Sequence, residues 1–472
     1  MAETSRSFIR KFVGFSLVTW VSFALSFLTA PISTRLFLPE VLGKINIFNT
    51  YTNFFGILVL LGLDQSFVRF YNERPNNHSI GYLYTFCYGV TYAFLSGIII
   101  LSLPFSKLLS WDLFEETDNT LLYLFFISIF CSATLRYQNL SYRMEQNIKM
   151  YTVQGILITL VQKVLYLGVG FWNPTYKPAL LVLIISNLAL AVLFLIIQRN
   201  RFERLKLCDK VFSNEMFKFA LPLIPVSVLM WANTSIPQIV IQKTMDYYSV
   251  GIFSSAVALA NVILVVQAGF NTFWAPYIYS NYKTQTGQFY KVHRYIIGVL
   301  VILSLILVLS QDVVFLILGE KFRAAKFFFP FLILGPVCYI IGETTGIGIG
   351  ISKKTYWNLI ISAISVLVNI FLCVFLGKPL GLPGIAMATA FAGITAMLLK
   401  TYIGERYYSA IKSTSYMYFC VFFLLASSFV TLCVEDFDKR TMIIVALLLL
   451  ACYVYKNEQK ELIKVIYSYI KQ

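Results

Sequence analysis

Five charged residues stand inside or at the edge of long apolar stretches, where a charge is expensive unless it has something useful to do. Arg35 lies in "FLTAPISTRLFLPEVLGKINIF", between one apolar run and the start of the next. Lys163 lies within "QGILITLVQKVLYLGVGF", and Lys243 ends "SIPQIVIQK". A cation at such a place either snorkels to the membrane surface, closes a buried pair, or faces a water-filled path and attracts an anion. Asp64 and Glu343 are the matching acids. Asp64 stands close to Arg69 and reads as half of an interfacial ion pair. Glu343, in "CYIIGETTGIGIG", reads as a coupling-ion site, the partner of Lys163, or a structural group.

Other chemistries find no footing. The eight cysteines show no paired spacing, and Cys87, Cys131, Cys338, Cys373, Cys420 and Cys452 lie in apolar runs, where Cys behaves as a small hydrophobe. His78 and His293 both read as loop residues, so neither a histidine-based catalytic centre nor a metal site is expected. Gly342, Gly346, Gly348 and Gly350 have no preceding strand, which argues against a nucleotide loop. Close helix packing or helix flexibility explains them better.

The elements that position these charges must be membrane helices. Of 472 residues 58% are hydrophobic and only 13% charged, with mean hydropathy +0.74. Apolar windows fall at roughly 12–34, 45–67, 82–103, 120–140, 151–171, 178–198, 217–240, 249–275, 293–310, 327–350, 355–376, 382–403, 416–434 and 441–455. The chain is therefore expected to be an all-α polytopic membrane protein of about 14 transmembrane helices. Pro222, Pro225 and Pro237 are expected to kink the seventh. The N-terminal apolar segment reads as a retained helix rather than a cleaved signal.

The net charge of +16 could suggest nucleic acid, but the aromatics lie inside the apolar runs and are not interleaved with Lys and Arg. Basic residues in such a chain mark cytoplasmic loops and anionic headgroups. With both termini inside, 26 of the 38 basic residues fall on inner segments and 11 on outer ones, with Lys163 inside a span. That bias places both termini in the cytoplasm.

Two windows repeat. In "TRLFLPEVLGKINIFNTYTNFFGILVLLGLDQSF" Arg35 precedes Gly43 by the same spacing as Lys243 precedes Gly251 in "QKTMDYYSVGIFSSAVALANVILVVQAGFNTFW". Gly62 and Gly269 then follow at nearly equal distances, and Asp64 and Asn271 stand two residues past them. Helix pair 1–2 thus matches pair 7–8 in one orientation, as in transporters with parallel repeats. The division expected is an N-terminal lobe at 1–206, a C-terminal lobe at 207–410, and two extra helices with a basic tail at 411–472. Arg35 and Lys243, equivalent under the repeat, would flank a cleft between the two six-helix lobes.

The pattern Arg35, Pro39–Glu40, Gly43 and "LGL" at 61–63, with "FALPLIP" at 219–225 and "VGIFSSA" at 250–256, resembles the polysaccharide (O-antigen-type) flippases. The resemblance runs over the whole chain. It implies the multidrug/oligosaccharidyl-lipid/polysaccharide exporter fold, no enzyme activity and no bound cofactor. It also implies a carrier in the bacterial plasma membrane that moves an undecaprenyl-diphosphate-linked oligosaccharide from the inner to the outer leaflet by alternating access. Expected partners are that lipid-linked oligosaccharide diphosphate, membrane lipid and glycan-assembly proteins, with H+ or Na+ as a coupling ion. A diphosphate needs cations in a cavity, and Arg35, Lys163 and Lys243 supply them: arginine through bidentate hydrogen bonds, lysine as a point charge. The rivals are a cation-coupled multidrug antiporter of the same fold, which would favour acids in its cavity, and a membrane glycan polymerase, which would need a large outer loop.

Overall fold

The computed structural model describes residues 2–472 except 76–77, 118, 204–208, 265–266, 268–273, 275–276, 279–280, 283–285, 410, 412 and 462–472. Of residues 2–16 and Thr286 it describes the backbone alone. The described residues hold nineteen α-helices and no strand. They divide into two compact units, Met1–Trp231 and Ala232–Gln472.

In the first unit the helices are α1 Ala2–Leu36, α2 Pro39–Leu60, α3 Leu63–Glu73, α4 Ile80–Ser102, α5 Ser106–Phe114, α6 Asn119–Met144, α7 Ile148–Lys163, α8 Tyr176–Ile197 and α9 Lys210–Ala220. The next helix, α10 Leu223–Thr244, crosses the division between the units. The second unit continues with α11 Tyr247–Ala260, α12 Thr286–Leu309, α13 Gln311–Ile317, α14 Phe329–Thr345, α15 Ile347–Ile351, α16 Tyr356–Leu380, α17 Leu382–Tyr407, α18 Ser415–Cys433 and α19 Phe437–Val454.

Ten of these segments are long and apolar enough to cross a membrane, or twelve if two bent pairs each count as one span. Among the described residues the expected count of fourteen is not confirmed: of the two remaining windows, 249–275 runs from Tyr247–Ile263 into residues that are not described, and the other falls on α19, whose first turns carry Asp438, Lys439 and Arg440.

Hydroxyls inside the membrane must be satisfied locally, since lipid offers no partner. In α1, Ser26 donates to the Ser22 carbonyl at 2.8 Å, Thr29 to Leu25 at 2.7 Å and Thr34 to Ala30 at 2.8 Å. Helix α1 packs on α7 and on the 3-10 turns that follow it, Leu165–Phe171. A Cβ at Gly155 would meet the Val18 side chain, one at Gly170 would meet Leu36, and Phe37 stacks on Tyr166 between them at 6.0 Å. Both helices advance in the same direction through these contacts, as spans one and five of an alternating bundle must.

The second span is broken between α2 and α3, with a 44° bend. Leu61 (φ 50°) and Gly62 (φ 70°) are left-handed there, and a Cβ on Gly62 would come within 2.5 Å of the Ala220 carbonyl oxygen. Only glycine meets both conditions. Ala220 closes α9, just before Leu221 and Pro222, so two chain breaks touch. Pro225 falls in the first turn of α10, where a missing N–H costs nothing, and only Pro237 lies in a helix interior. Leu63, Phe67, Tyr84, Cys87, Tyr137 and Met216 form the buried core beneath this point.

In the second unit α17 packs against both α14 and α16. The contacts are made by small residues. A Cβ on Gly404 would strike the Thr345 carbonyl, one on Gly348 the Gly404 carbonyl, and one on Gly393 the Gly335 backbone. The glycines after Cys338 are thus packing residues, as expected for close helices in lipid. Gly43 and Gly251 are both buried near the start of their helices, while Gly269 and Asn271 lie outside the described residues.

Candidate functional site

Charge in the first unit collects at its two ends. At one, Glu116 accepts from Lys44 Nζ at 3.1 Å and from the Tyr176 hydroxyl, with Lys177 at 3.7 Å and Lys44 also over the Tyr176 ring. Burial raises the affinity of Glu116 for a proton, but the hydrogen bonds from Tyr176 and Lys44 outweigh it and hold the carboxyl below its ordinary value. At the other end Arg69 pairs with Glu73 at 2.8 Å, Arg201 with Glu145 at 2.6 Å, and His78 with Asp209 at 2.9 Å. The His78 bond lowers the Asp209 carboxyl, which also caps α9 through the Val211 and Phe212 amides.

The residues singled out from sequence take no part in these pairs. Arg35 occupies the last turn of α1 and is exposed. Lys163 is the last residue of α7 and half-buried, at the point where α-helix gives way to 3-10 turns. A helix C-terminus leaves carbonyls unsatisfied and favours a cation, so the chain breaks its helix where the lysine stands. Arg35 and Lys163 flank the same contact: Tyr166, three residues past Lys163, hydrogen-bonds Ser33, two residues before Arg35. Neither cation has a carboxylate partner among the described residues. Of the polar residues near Lys163 along the chain, Gln154 is buried and donates to Gln138 at 3.2 Å, and Gln162 is exposed. Lys243 lies in the last turn of α10, exposed, in the second unit.

Both acids have partners other than those expected. Asp64 is buried and accepts from Arg136 Nη2 at 3.0 Å and Nε at 3.3 Å, with Gln65 at 2.9 Å. Arg69, five residues on, points to another face of the helix. Glu343 pairs with Lys400 Nζ at 2.6 Å, a contact within unit two, and not with Lys163. His293 is no loop residue but lies buried in α12, bonded through Nδ1 to Thr344 Oγ1 at 2.7 Å. Thr344 donates to the Ile341 carbonyl, so Nδ1 carries the proton and Nε2 is left an acceptor with no hydrogen-bond partner among the described residues. Among the described residues no group of three or more His, Cys, Asp or Glu could hold a metal ion.

Sequence reasoning passed over Arg136 and Lys400, assigning both to loops. Each nevertheless falls inside its apolar window, and that was the available signal.

A family model described as "Polysaccharide biosynthesis protein" matches residues 8–282. The chain belongs to this family. The family's fold is that of solved transporters. A structure titled "Lipid II flippase MurJ, inward closed conformation" superposes with TM-score 0.68 at 15% identity, over 97% of this chain and 99% of that one. An "inward-facing conformation of a multidrug resistance MATE family transporter of the MOP superfamily" gives TM-score 0.61 at 15% identity, over 83% of this chain and 96% of that one. No curated protein matches it by sequence. This member of the polysaccharide biosynthesis family therefore shares the fold of those two solved transporters, and its described residues hold ten to twelve segments long and apolar enough to cross a membrane.

Proposed function

We propose that the protein is a flippase that carries an undecaprenyl-diphosphate-linked oligosaccharide from the inner to the outer leaflet of the bacterial plasma membrane, by alternating access, with both termini cytoplasmic. The observation that carries this is the pairing of Arg35 and Lys163 along one helix contact, both without a carboxylate partner among the described residues. Positive groups held in an apolar span attract a diphosphate strongly because low-dielectric walls screen them little. The trailing glycan, being neutral, needs only room and hydroxyl partners. Arg35 forks onto phosphate oxygens and Lys163 adds charge at a helix end. Lys243 is the counterpart of Arg35 under the repeat. The likeness to a lipid II flippase over 97% of the chain, against 83% for the multidrug transporter, supports a lipid-linked substrate over a drug.

The test is export of lipid-linked glycan in a flippase-null strain. Arg35→Ala and Lys163→Ala each lower flipping at least tenfold, a loss of roughly 1.4 kcal/mol or more of substrate interaction, while Arg35→Lys and Lys163→Arg retain part of it. Membrane abundance stays near normal, because neither cation holds the fold together. Normal export by the Arg35→Ala, Lys163→Ala double variant at equal abundance would overturn the mechanism.

A further inference from the structure

We propose that the Glu343–Lys400 pair is an exchange site, in which a proton taken up by Glu343 releases Lys400 to bind the diphosphate of the substrate. This rests on the substrate class proposed above and adds how its binding is tied to an ion.

Among the described residues four ion pairs link separate segments of the second unit, and they differ in access; Lys326–Asp312 is open, at 28% and 23% exposed. In Arg294–Glu458 and Arg440–Asp312 one side chain is sealed, Glu458 and Arg440 each being 3% exposed. Glu343 and Lys400 keep 29% and 21% of their surface. Both lie inside apolar segments, and a charge turned to hydrocarbon there costs about 3 kcal/mol or more. The open side of this pair is therefore wet and can be reached by ions.

Among the described residues Lys400 has one hydrogen-bond acceptor, Glu343 Oε1, and its ammonium also lies over the Tyr339 ring at 5.7 Å. The ammonium has three donors. The lysine stem runs along a track without side chains: a Cβ at Gly342 would meet its Cδ at 3.3 Å, and one at Gly346 would meet its Cγ at 2.6 Å. A flexible stem on a bare track can slide off when its carboxylate loses charge. Thr345 and Thr401, bonded to each other at 2.7 Å beside the pair, keep α14 and α17 together whether or not the charges meet.

The charge balance follows. The ionised pair is neutral overall and offers a diphosphate nothing. Protonation of Glu343, which makes one O–H bond and breaks none, leaves Lys400 as a net positive charge with free donors. Linkage is reciprocal, so a bound diphosphate raises the proton affinity of Glu343 by the same factor. The other titratable or charged groups near Glu343 are Tyr339 one turn earlier on α14, His293 of α12 through Thr344, and Cys420 of α18 beside Cys338. Helix α11, also packed on α14, sets Phe253 against Phe328 at the other end of that helix from Glu343. Trp274 donates to the backbone carbonyl of Glu343 at 3.2 Å, while the Tyr339 hydroxyl and Lys400 both hydrogen-bond its carboxylate.

The probe is a diphosphate diester with two short alkyl groups, which keeps both negative charges from about pH 8 to about pH 4. Its affinity is measured by calorimetry on the full-length protein in lipid nanodiscs. Wild-type protein should bind more tightly as pH falls, by up to about tenfold per unit for one linked proton. Glu343→Gln should bind at the tight level throughout, with no pH dependence. Gly346→Ala, which pushes the stem off its track, should move the wild type toward that behaviour. Lys400→Gln should bind weakly at every pH, and Lys400→Arg should restore binding. A pH dependence that persists in Glu343→Gln, or is absent from the wild type, overturns the exchange and leaves the diphosphate substrate standing. Absence of binding by the wild type at every pH overturns both.

Discussion

Among the described residues Gly62 is the glycine that joins a left-handed backbone to a close backbone neighbour. It combines φ +70° with the Ala220 carbonyl where a Cβ would go. An alanine there must either leave the left-handed region or push α9 away. Gly62→Ala should destabilise the protein by about 1–3 kcal/mol, read as a lower midpoint of thermal unfolding in detergent. The conservative test is Gly56→Ala, whose Cβ would meet only Ser132 at 3.9 Å and which should leave the midpoint nearly unchanged. Equal midpoints for both variants would show that the chain breaks at Gly62 and Leu221 do not depend on each other. The neighbouring Leu61, left-handed without being glycine, shows that the bend is held by tertiary packing, since local preference would straighten it.

At the scale of elements, Glu116 ties three helix ends, through Lys44 on α2, Tyr176 and Lys177 on α8, and its own loop before α6. Its carboxyl is depressed in the folded protein, so its contribution to stability is present above the ordinary value of 4.5 and is lost as pH falls through the folded value. Glu116→Gln should remove that part of the acid sensitivity while costing about 1 kcal/mol near neutral pH. Unfolding midpoints at pH 7 and at about pH 4 measure both effects, and identical acid sensitivity in the variant would refute it. This network illustrates what sequence could and could not yield. Lys44, Glu116 and Lys177 were visible as loop charges, but their meeting depends on how α2, α6 and α8 are packed. Helix positions were legible because each span must be apolar along its length. Partners were not, because apolar surfaces carry no register. Asp64 therefore met Arg136 and Glu343 met Lys400, while proximity in the chain suggested Arg69 for the first and a shared place inside apolar spans suggested Lys163 for the second. Lys163 was legible as an isolated cation, yet nothing in "VQKVLYLGVGF" announced that the α-helix ends on it. His293 was misplaced because one polar stretch, "TGQFYKVHR", looks like a loop and folds as the first turns of α12.

For the whole molecule, the direction of the chain through the membrane remains the expectation with the widest reach. Reporter fusions after Lys210 and Lys471 should give cytoplasmic signals, and one at Lys378 should not. An external signal at Lys210 would invert the proposed transport direction along with the topology. Within the first unit, Glu116 and Lys44 gather at one end and Arg69, Arg201 and His78 at the other, so the fusions decide which of two existing charged bands meets which compartment.

The hydroxyls of α1 bear on how the protein is made. Ser26, Thr29 and Thr34 each donate to a carbonyl of their own helix, so the segment carries its polar needs with it. Its packing partner α7 is synthesised more than a hundred residues later. A helix that had to wait for that partner would spend its early life with bare hydrogen-bonding groups in lipid. This one can leave the translocon alone, anchor the nascent chain, and hold its orientation while the rest is still on the ribosome.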